Sequence, residues 1–294
     1  MLKRSLFMGA LLLLNGWLTE SFAQQQYSIA ACDWMMLKRQ KIGEFRLARE
    51  IGADGIEMDM GPLGQRTLFD NKLRDEHFRL LFRHTADSVG IKVPSMAMSG
   101  FFAQNLLKRD NYLELIDDCL QSMDVMGARV AFLPLGGSGH EWKQRGAPER
   151  TEMVSRLHNI GERARLAGKV VAIRTGQNAK ESLRLLKEVD SRGIKIYYNL
   201  QDAVDQGLNP YKELKKLGAG NIAQIHASLT DSVTLDEDPR IDLRRVKCTL
   251  DKMGWSGWLV VERSRNAKDV RNVKGNFGRN VAYLKEIFQQ DKRK

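Results

Sequence analysis

Six polar side chains stand at the ends of apolar, β-branched runs: Glu57, Asp59, Arg174, Asn199, His226 and Glu262. A charge in such a run is costly unless it is paired, so each needs a reason to be there. Strand side chains alternate between faces. Glu57 therefore shares a face with Asp59, Arg174 with Ala172, Asn199 with Tyr197, His226 with Gln224 and Ser228, and Glu262 with Ser264. A set of this composition can move protons, with two carboxylates on opposite sides as base and acid and a cation aimed at developing negative charge. Glu262 and Glu57 are the candidate acid/base pair. His226 is either a third acid/base group or a hydroxyl binder, and Asp59 shares with Glu57 the option of hydrogen-bonding substrate hydroxyls.

The elements that must position these residues are legible as a repeat. Helix-like stretches end at Gly52, Gly90, Gly127, Gly168, Gly193, Gly218 and Gly254, and an apolar run follows each. Glycine suits the left-handed residue that closes a helix, so each reads as a stop before a strand. With Tyr27–Cys32 in front, the count is eight strands, each followed by a helical pattern. Leu113, Ile116, Leu120 and Met123, for example, form the apolar stripe of a helix packed on a sheet. The strands are nearly continuous apolar runs, as parallel strands buried on both faces should be. No Gly-x-Gly-x-x-Gly turn follows the first strand, which weighs against a nucleotide-binding open sheet. The reading is α/β, a single-domain (β/α)8 TIM barrel, with its chemistry at the C-terminal ends of the strands.

The chain has 294 residues and a formal net charge of +11. A basic start, an apolar run from Leu6 to Leu14 and small residues at Ser21 and Ala23 read as a secretory signal over residues 1–23. Cleavage near Ala23 gives an exported protein, periplasmic in a Gram-negative source, with no stable membrane insertion. Residues 24–289 then form the barrel and 290–294 a frayed tail. Three cysteines make no disulfide framework. Cys32, at the end of the first strand, is a nucleophile only in a minority reading, because no histidine lies near it in sequence. The excess lysine and arginine is interleaved with acids along helices, as in 183–189, which describes solvated helix faces rather than a nucleic-acid surface.

Gly254-Trp-Ser-Gly-Trp-Leu-Val-Val-Glu262, Ile225-His226 and Ile51-Gly-Ala-Asp-Gly-Ile-Glu57 resemble the sugar phosphate isomerase/epimerase family, the xylose-isomerase-like TIM barrels. The resemblance runs from about Tyr27 to Phe288. It implies one divalent metal (Mn, Co, Zn or Mg) held by a glutamate, an aspartate, a histidine and a glutamate from the fifth to eighth strands. The last two fall on His226 and Glu262, but the aspartate falls on Asn199 and the first glutamate on Arg174. Arginine has no acceptor and stays charged, so it cannot be a ligand. Two readings compete: Arg174 takes over the metal's electrostatic role, or the metal site is degenerate and Arg174–Glu262 is a buried structural pair. A rebuilt metal set of Glu57, Asn199, His226 and Glu262 is a third.

The loop Gly136-Gly-Ser-Gly-His-Glu-Trp142 adds Trp142, to stack on a sugar ring, and His140 as a polar contact. Arg265 is a candidate anion contact. The resemblance implies proton transfer next to a carbonyl, and export points to a non-phosphorylated sugar or keto-sugar. Alternatives are a lyase or hydratase acting on 3-keto glycosides, and a non-catalytic carbohydrate-binding barrel. The related endonuclease branch needs many histidine ligands, and five histidines with only His226 on a matching strand end argue against it. The sequence sets no oligomeric state.

Overall fold

The computed structural model describes residues 26–290. The leader at 1–23 and nearly all of the expected tail lie outside them. Eight parallel strands close into a barrel in sequence order: β1 Tyr27–Cys32, β2 Gly55–Asp59, β3 Lys92–Ala97, β4 Val130–Pro134, β5 Val170–Arg174, β6 Ile194–Asn199, β7 Ile222–His226 and β8 Gly257–Val261. β1 pairs with both β2 and β8, which completes the ring. The outer layer is α1 Gly43–Glu50, α2 Glu76–Val89, α3 Tyr112–Met126, α4 Pro148–Leu166, α5 Ala179–Val189, α6 Leu200–Asp205, α7 Pro210–Leu217, α8 Leu243–Met253 and α9 Val273–Phe288.

Two cores result, as a barrel requires. The larger lies between strands and helices and includes Ile29, Ile56, Leu133, Ile173, Leu259 and the apolar stripes of the helices. The smaller fills the barrel interior with Ala30, Cys32, Ala97, Ala172 and Val260 beside the large rings of Phe132, Tyr197 and Trp34. Small residues on four strands make the room that the rings and the polar groups above them occupy.

Two boundaries differ from the sequence reading. The eighth strand was expected to continue through Glu262 to Ser264, yet it ends at Val261. Beyond that point the Glu262 and Arg263 amides donate to Ser228 Oγ, both at 3.1 Å, instead of to a ladder partner. Ser264 takes a left-handed conformation, and its Oγ accepts from Leu229 N at 2.7 Å. This side-chain lacing of β7 to β8 fixes the Glu262 backbone.

The second concerns Gly193. Gly52, Gly90, Gly127, Gly168 and Gly254 have the positive φ expected of helix stops, but α5 is closed by Asp190 at φ 47°. Gly193 is needed for closeness: a Cβ there would lie 1.9 Å from the Gly161 carbonyl oxygen on α4. Gly193→Ala should therefore cost about 3 kcal/mol as overpacking. Gly168→Ala, where no atom lies within 4 Å of an added Cβ, should cost only the roughly 1 kcal/mol of left-handed strain. Urea unfolding of the two variants measures the contrast, and equal losses would contradict it.

Candidate functional site

The C-terminal ends of β2, β3, β5, β6, β7 and β8 bring together Glu57, Ser95, Arg174, Tyr197, Asn199, Gln224, His226 and Glu262. Register explains the inner layer: Glu57 stands opposite Ser95, Tyr197 opposite Gln224 and Asn199 opposite His226. Glu57 is fully buried and fully engaged. Its Oε2 accepts from Ser95 Oγ and Tyr197 OH, each at 2.7 Å, and its Oε1 lies 2.8 Å from His226 Nε2. Gln224 Nε2 donates to both hydroxyls, at 2.8 Å to Ser95 and 3.0 Å to Tyr197, leaving them free to donate to the carboxylate. The histidine ring packs 4.3 Å from Tyr197 and 4.9 Å from Phe132, with Trp34 edge-on at 6.2 Å. Burial and the neighbouring carboxylate hold the Tyr197 phenol well above its ordinary range, so it remains a donor.

With its Nε2–H given to Glu57, His226 turns Nδ1 toward the mouth, 3.5 Å from Glu262 Oε2 and 3.5 Å from Asn199 Nδ2. Asn199 Nδ2 also donates to Glu262 Oε2 at 3.4 Å, and Arg174 Nη1 lies 3.5 Å from the same oxygen. Every contact of the Glu262 carboxylate is long and runs through Oε2; among the described residues no protein hydrogen bond is made to Oε1. Glu262 is thus the carboxylate with capacity left for a ligand, and Glu57 is the one without.

Arg174 pairs with Glu262 only loosely. Its principal partner is Asp202 on α6, which accepts from Nε at 2.9 Å and from Nη2 at 2.6 Å. This bidentate clamp leaves Nη1 directed at Glu262, and it raises the guanidinium's pKa against the opposing effect of burial. Asp202 escaped the sequence reading because it lies in a helix rather than on a strand end. Its spacing, three residues after Asn199 at the helix start, was the available signal.

The donors do not fit a resident hard cation as they stand. Glu57 and Glu262 face opposite nitrogens of His226 and so do not converge on one point with it. The Asn199 carbonyl oxygen accepts from Gln201 N at 2.8 Å as the cap of α6, so the amide presents its NH2 to the site. A guanidinium stands where a ligand would be. Among the described residues no group of three or more His, Cys, Asp or Glu is arranged to hold a metal ion.

Several expected contacts lie elsewhere. Trp142 does not face the mouth: it is 1% exposed and belongs to the core outside the barrel, so it has no face for a sugar. His140 is exposed on the same loop. Arg265 is held by Asp231 through both its amide and its guanidinium, so its charge is already matched. Cys32 is buried, and burial with two nearby glutamates pushes its thiol far above the range of a nucleophile.

Asp59 also departs from expectation. It is fully buried, accepts from Gly61 N at 2.8 Å and Ser99 N at 3.2 Å, and lies 3.2 Å from Arg39 Nε, so it offers nothing to a substrate. Asp33 and Glu44 are buried with it. Burial, then the charge of Asp33, push Asp59 up to about 8 despite Arg39. Burial likewise raises Asp33 and holds Glu44 well above the carboxylate range. The cluster anchors the loop that follows β1 and carries Trp34, for Asp33 Oδ2 accepts from Gln40 N at 3.0 Å and Gln40 Nε2 donates to the Asp59 carbonyl at 2.8 Å.

Residues 45–287 match the family described as xylose isomerase-like TIM barrel. The chain belongs to that family. Among curated proteins no sequence matches. Solved structures share the fold at low identity. An L-ribulose 3-epimerase is 14% identical with a TM-score of 0.69, covering 90% of this chain and 95% of its own. A D-psicose 3-epimerase crystallised in the presence of D-fructose is 12% identical with a TM-score of 0.70, covering 90% and 100%. The probable 3-DHS dehydratase of petrobactin synthesis from Bacillus anthracis is 14% identical with a TM-score of 0.65, covering 87% and 98%.

A group whose folded pKa is raised contributes stability that is complete below its unfolded pKa and is lost as pH rises through the folded value. For Asp59 that window runs from 3.8 to about 8. Urea-derived stability should fall across it, and Asp59→Asn should flatten the slope; an unchanged slope would place the titration elsewhere.

Proposed function

We propose that this barrel removes a proton from the carbon next to the carbonyl of a non-phosphorylated sugar or keto-sugar, with Glu262 as the base. The observation that carries the reading is the placement of Arg174. A guanidinium clamped by Asp202 holds a free nitrogen 3.5 Å from a carboxylate that has an uncommitted oxygen. Base and electrophile are therefore side by side at the strand ends, where the barrel fold does its chemistry.

In this reading the substrate carbonyl oxygen lies against Arg174 Nη1 and Asn199 Nδ2. Glu262 takes the adjacent proton, and the electron pair left behind becomes the enolate whose charge those donors stabilise. Binding the oxygen loosens the contacts that now engage Glu262 Oε2, which frees the base as substrate arrives. His226 accepts through Nδ1, and can return that proton, while Glu57 holds its Nε2–H and orientation, so Glu57 is a positioning residue rather than the second catalytic acid. The divalent ion typical of the family's chemistry is replaced by Arg174.

One available carboxylate also bears on the outcome. Epimerisation by exchange across the carbon's two faces needs a base on each side, whereas Glu57 is committed. The proton on Glu262 instead returns on the same face. Delivery to the former carbonyl carbon completes an isomerisation, the hydroxyl proton of the first carbon passing meanwhile to the former carbonyl oxygen. Delivery to an oxygen one carbon further, as its bond to carbon breaks, completes an elimination. The second outcome favours a lyase acting on 3-keto glycosides. The leader-like sequence of residues 1–23, read as directing export, favours a substrate without phosphate.

The test is exchange of the α-proton in heavy water, followed by NMR on D-fructose and on a 3-keto glucoside. Wild-type protein should wash deuterium into at least one of them. Glu262→Gln and Arg174→Met should each slow exchange by roughly 10²–10³-fold, and prior dialysis against a chelator should leave the rate unaltered. Binding without exchange would instead identify a non-catalytic carbohydrate-binding barrel, and loss of exchange on chelation would restore the metal.

A further inference from the structure

Phe102 is a large aromatic residue left 38% exposed at the active end of the barrel. Its ring lies beneath the Arg174 guanidinium, 5.4 Å from the centroid, and 5.7 Å from the ring of Phe132. The chain goes to some length to hold it there. Gly137 N donates to the Phe102 carbonyl at 3.0 Å. Gly136 has no room for a side chain, because a Cβ would meet the Phe102 carbonyl oxygen at 2.5 Å and its Cα at 2.8 Å. The loop after β4 is thus pressed onto the loop after β3, and Asn105 Nδ2 locks the pair by donating to the Ser138 carbonyl at 2.8 Å. Past this contact the β4 loop presents Ser138 and His140 to solvent.

A fixed, partly exposed ring on a loop clamped to one that carries an exposed hydroxyl and imidazole has the make-up of a sugar platform. The C–H face of a pyranose sits on the electron-rich face of an aromatic ring, and its hydroxyls need polar partners around the edge. Its ring packs with Arg174 and Phe132 rather than with the His226 ring, so the sugar it receives is not the one that reacts. We infer that Phe102, with Ser138 and His140, forms a subsite for a second sugar unit, the leaving group of a glycoside whose keto-sugar half is held at Arg174 and Glu262. The inference rests on the proton-abstraction reading and narrows it: the substrate is a disaccharide-like glycoside, and elimination transfers the Glu262 proton to the departing glycosidic oxygen as the carbon–oxygen bond breaks and the enolate electrons form the new double bond.

Calorimetric binding of a 3-keto disaccharide and of the methyl glycoside of the same 3-keto sugar separates the possibilities, using the full mature chain. The disaccharide should bind wild type about tenfold more tightly. Phe102→Ala should weaken the disaccharide at least about fivefold more than it weakens the methyl glycoside, whose keto-sugar half still meets Arg174, and Phe102→Tyr should keep the preference. Equal affinity of the two ligands for wild type, or equal weakening of both by Phe102→Ala, overturns the subsite. The proton-abstraction reading fails separately: a disaccharide preference that depends on Phe102, with no turnover and no α-proton exchange, leaves the subsite standing without the chemistry.

Discussion

A carboxylate inside a barrel is a constraint that the neighbouring strands must satisfy together. Removing an ionised group from water costs several kcal/mol even after relaxation, unless hydrogen bonds and a partner charge replace the lost hydration. Glu57 receives two hydroxyl donors and the imidazole of His226, so Ser95, Tyr197 and His226 are fixed from three other strands, and Gln224 must point its amide at the two hydroxyls. The network also determines which way His226 looks. Once Nε2 faces Glu57, Nδ1 faces Asn199 and Glu262.

The outer layer follows from the inner one. Glu262 is left as the carboxylate with an uncommitted oxygen, and Arg174 is the cation opposite it. A metal ion would need acceptors converging on one point, whereas this arrangement interleaves acceptors with donors: Asn199 offers its NH2, Arg174 its guanidinium and His226 sits between two glutamates. Asp202 then has a clear physical role. Without it the buried arginine would be free to swing onto Glu262 as a tight pair, and the proposed base would be consumed by its own partner. The clamp holds the charge close and keeps the pair loose.

Much of this was legible in the chain before folding. The alternation of helical stripes, glycine stops and apolar runs specified the barrel, and strand parity correctly put Glu57, Asn199, His226 and Glu262 on inward faces. Parity could not tell how far up the barrel a side chain ends. Asp59 shares its face with Glu57 but lies one layer higher, where backbone amides of Gly61 and Ser99 enclose it. Trp142 looked like a loop ring available for stacking, and its loop folds back to bury it. Arg265 looked like a spare cation until the loop after β7 brought Asp231 against it.

The sequence by itself determined the fold, the order of the strands and the types of groups gathered near their ends, because periodicity, helix stops and face alternation are set by neighbours a few residues away. Only the tertiary structure decided which groups are spent and which are free. That depends on hydrogen bonds across the barrel between residues far apart in the chain, such as Glu57 with Tyr197 and with His226, separated by 140 and 169 positions. No local pattern encodes such a pairing. It exists only once ring closure sets these strands around one interior and a buried charge requires every donor there to be assigned.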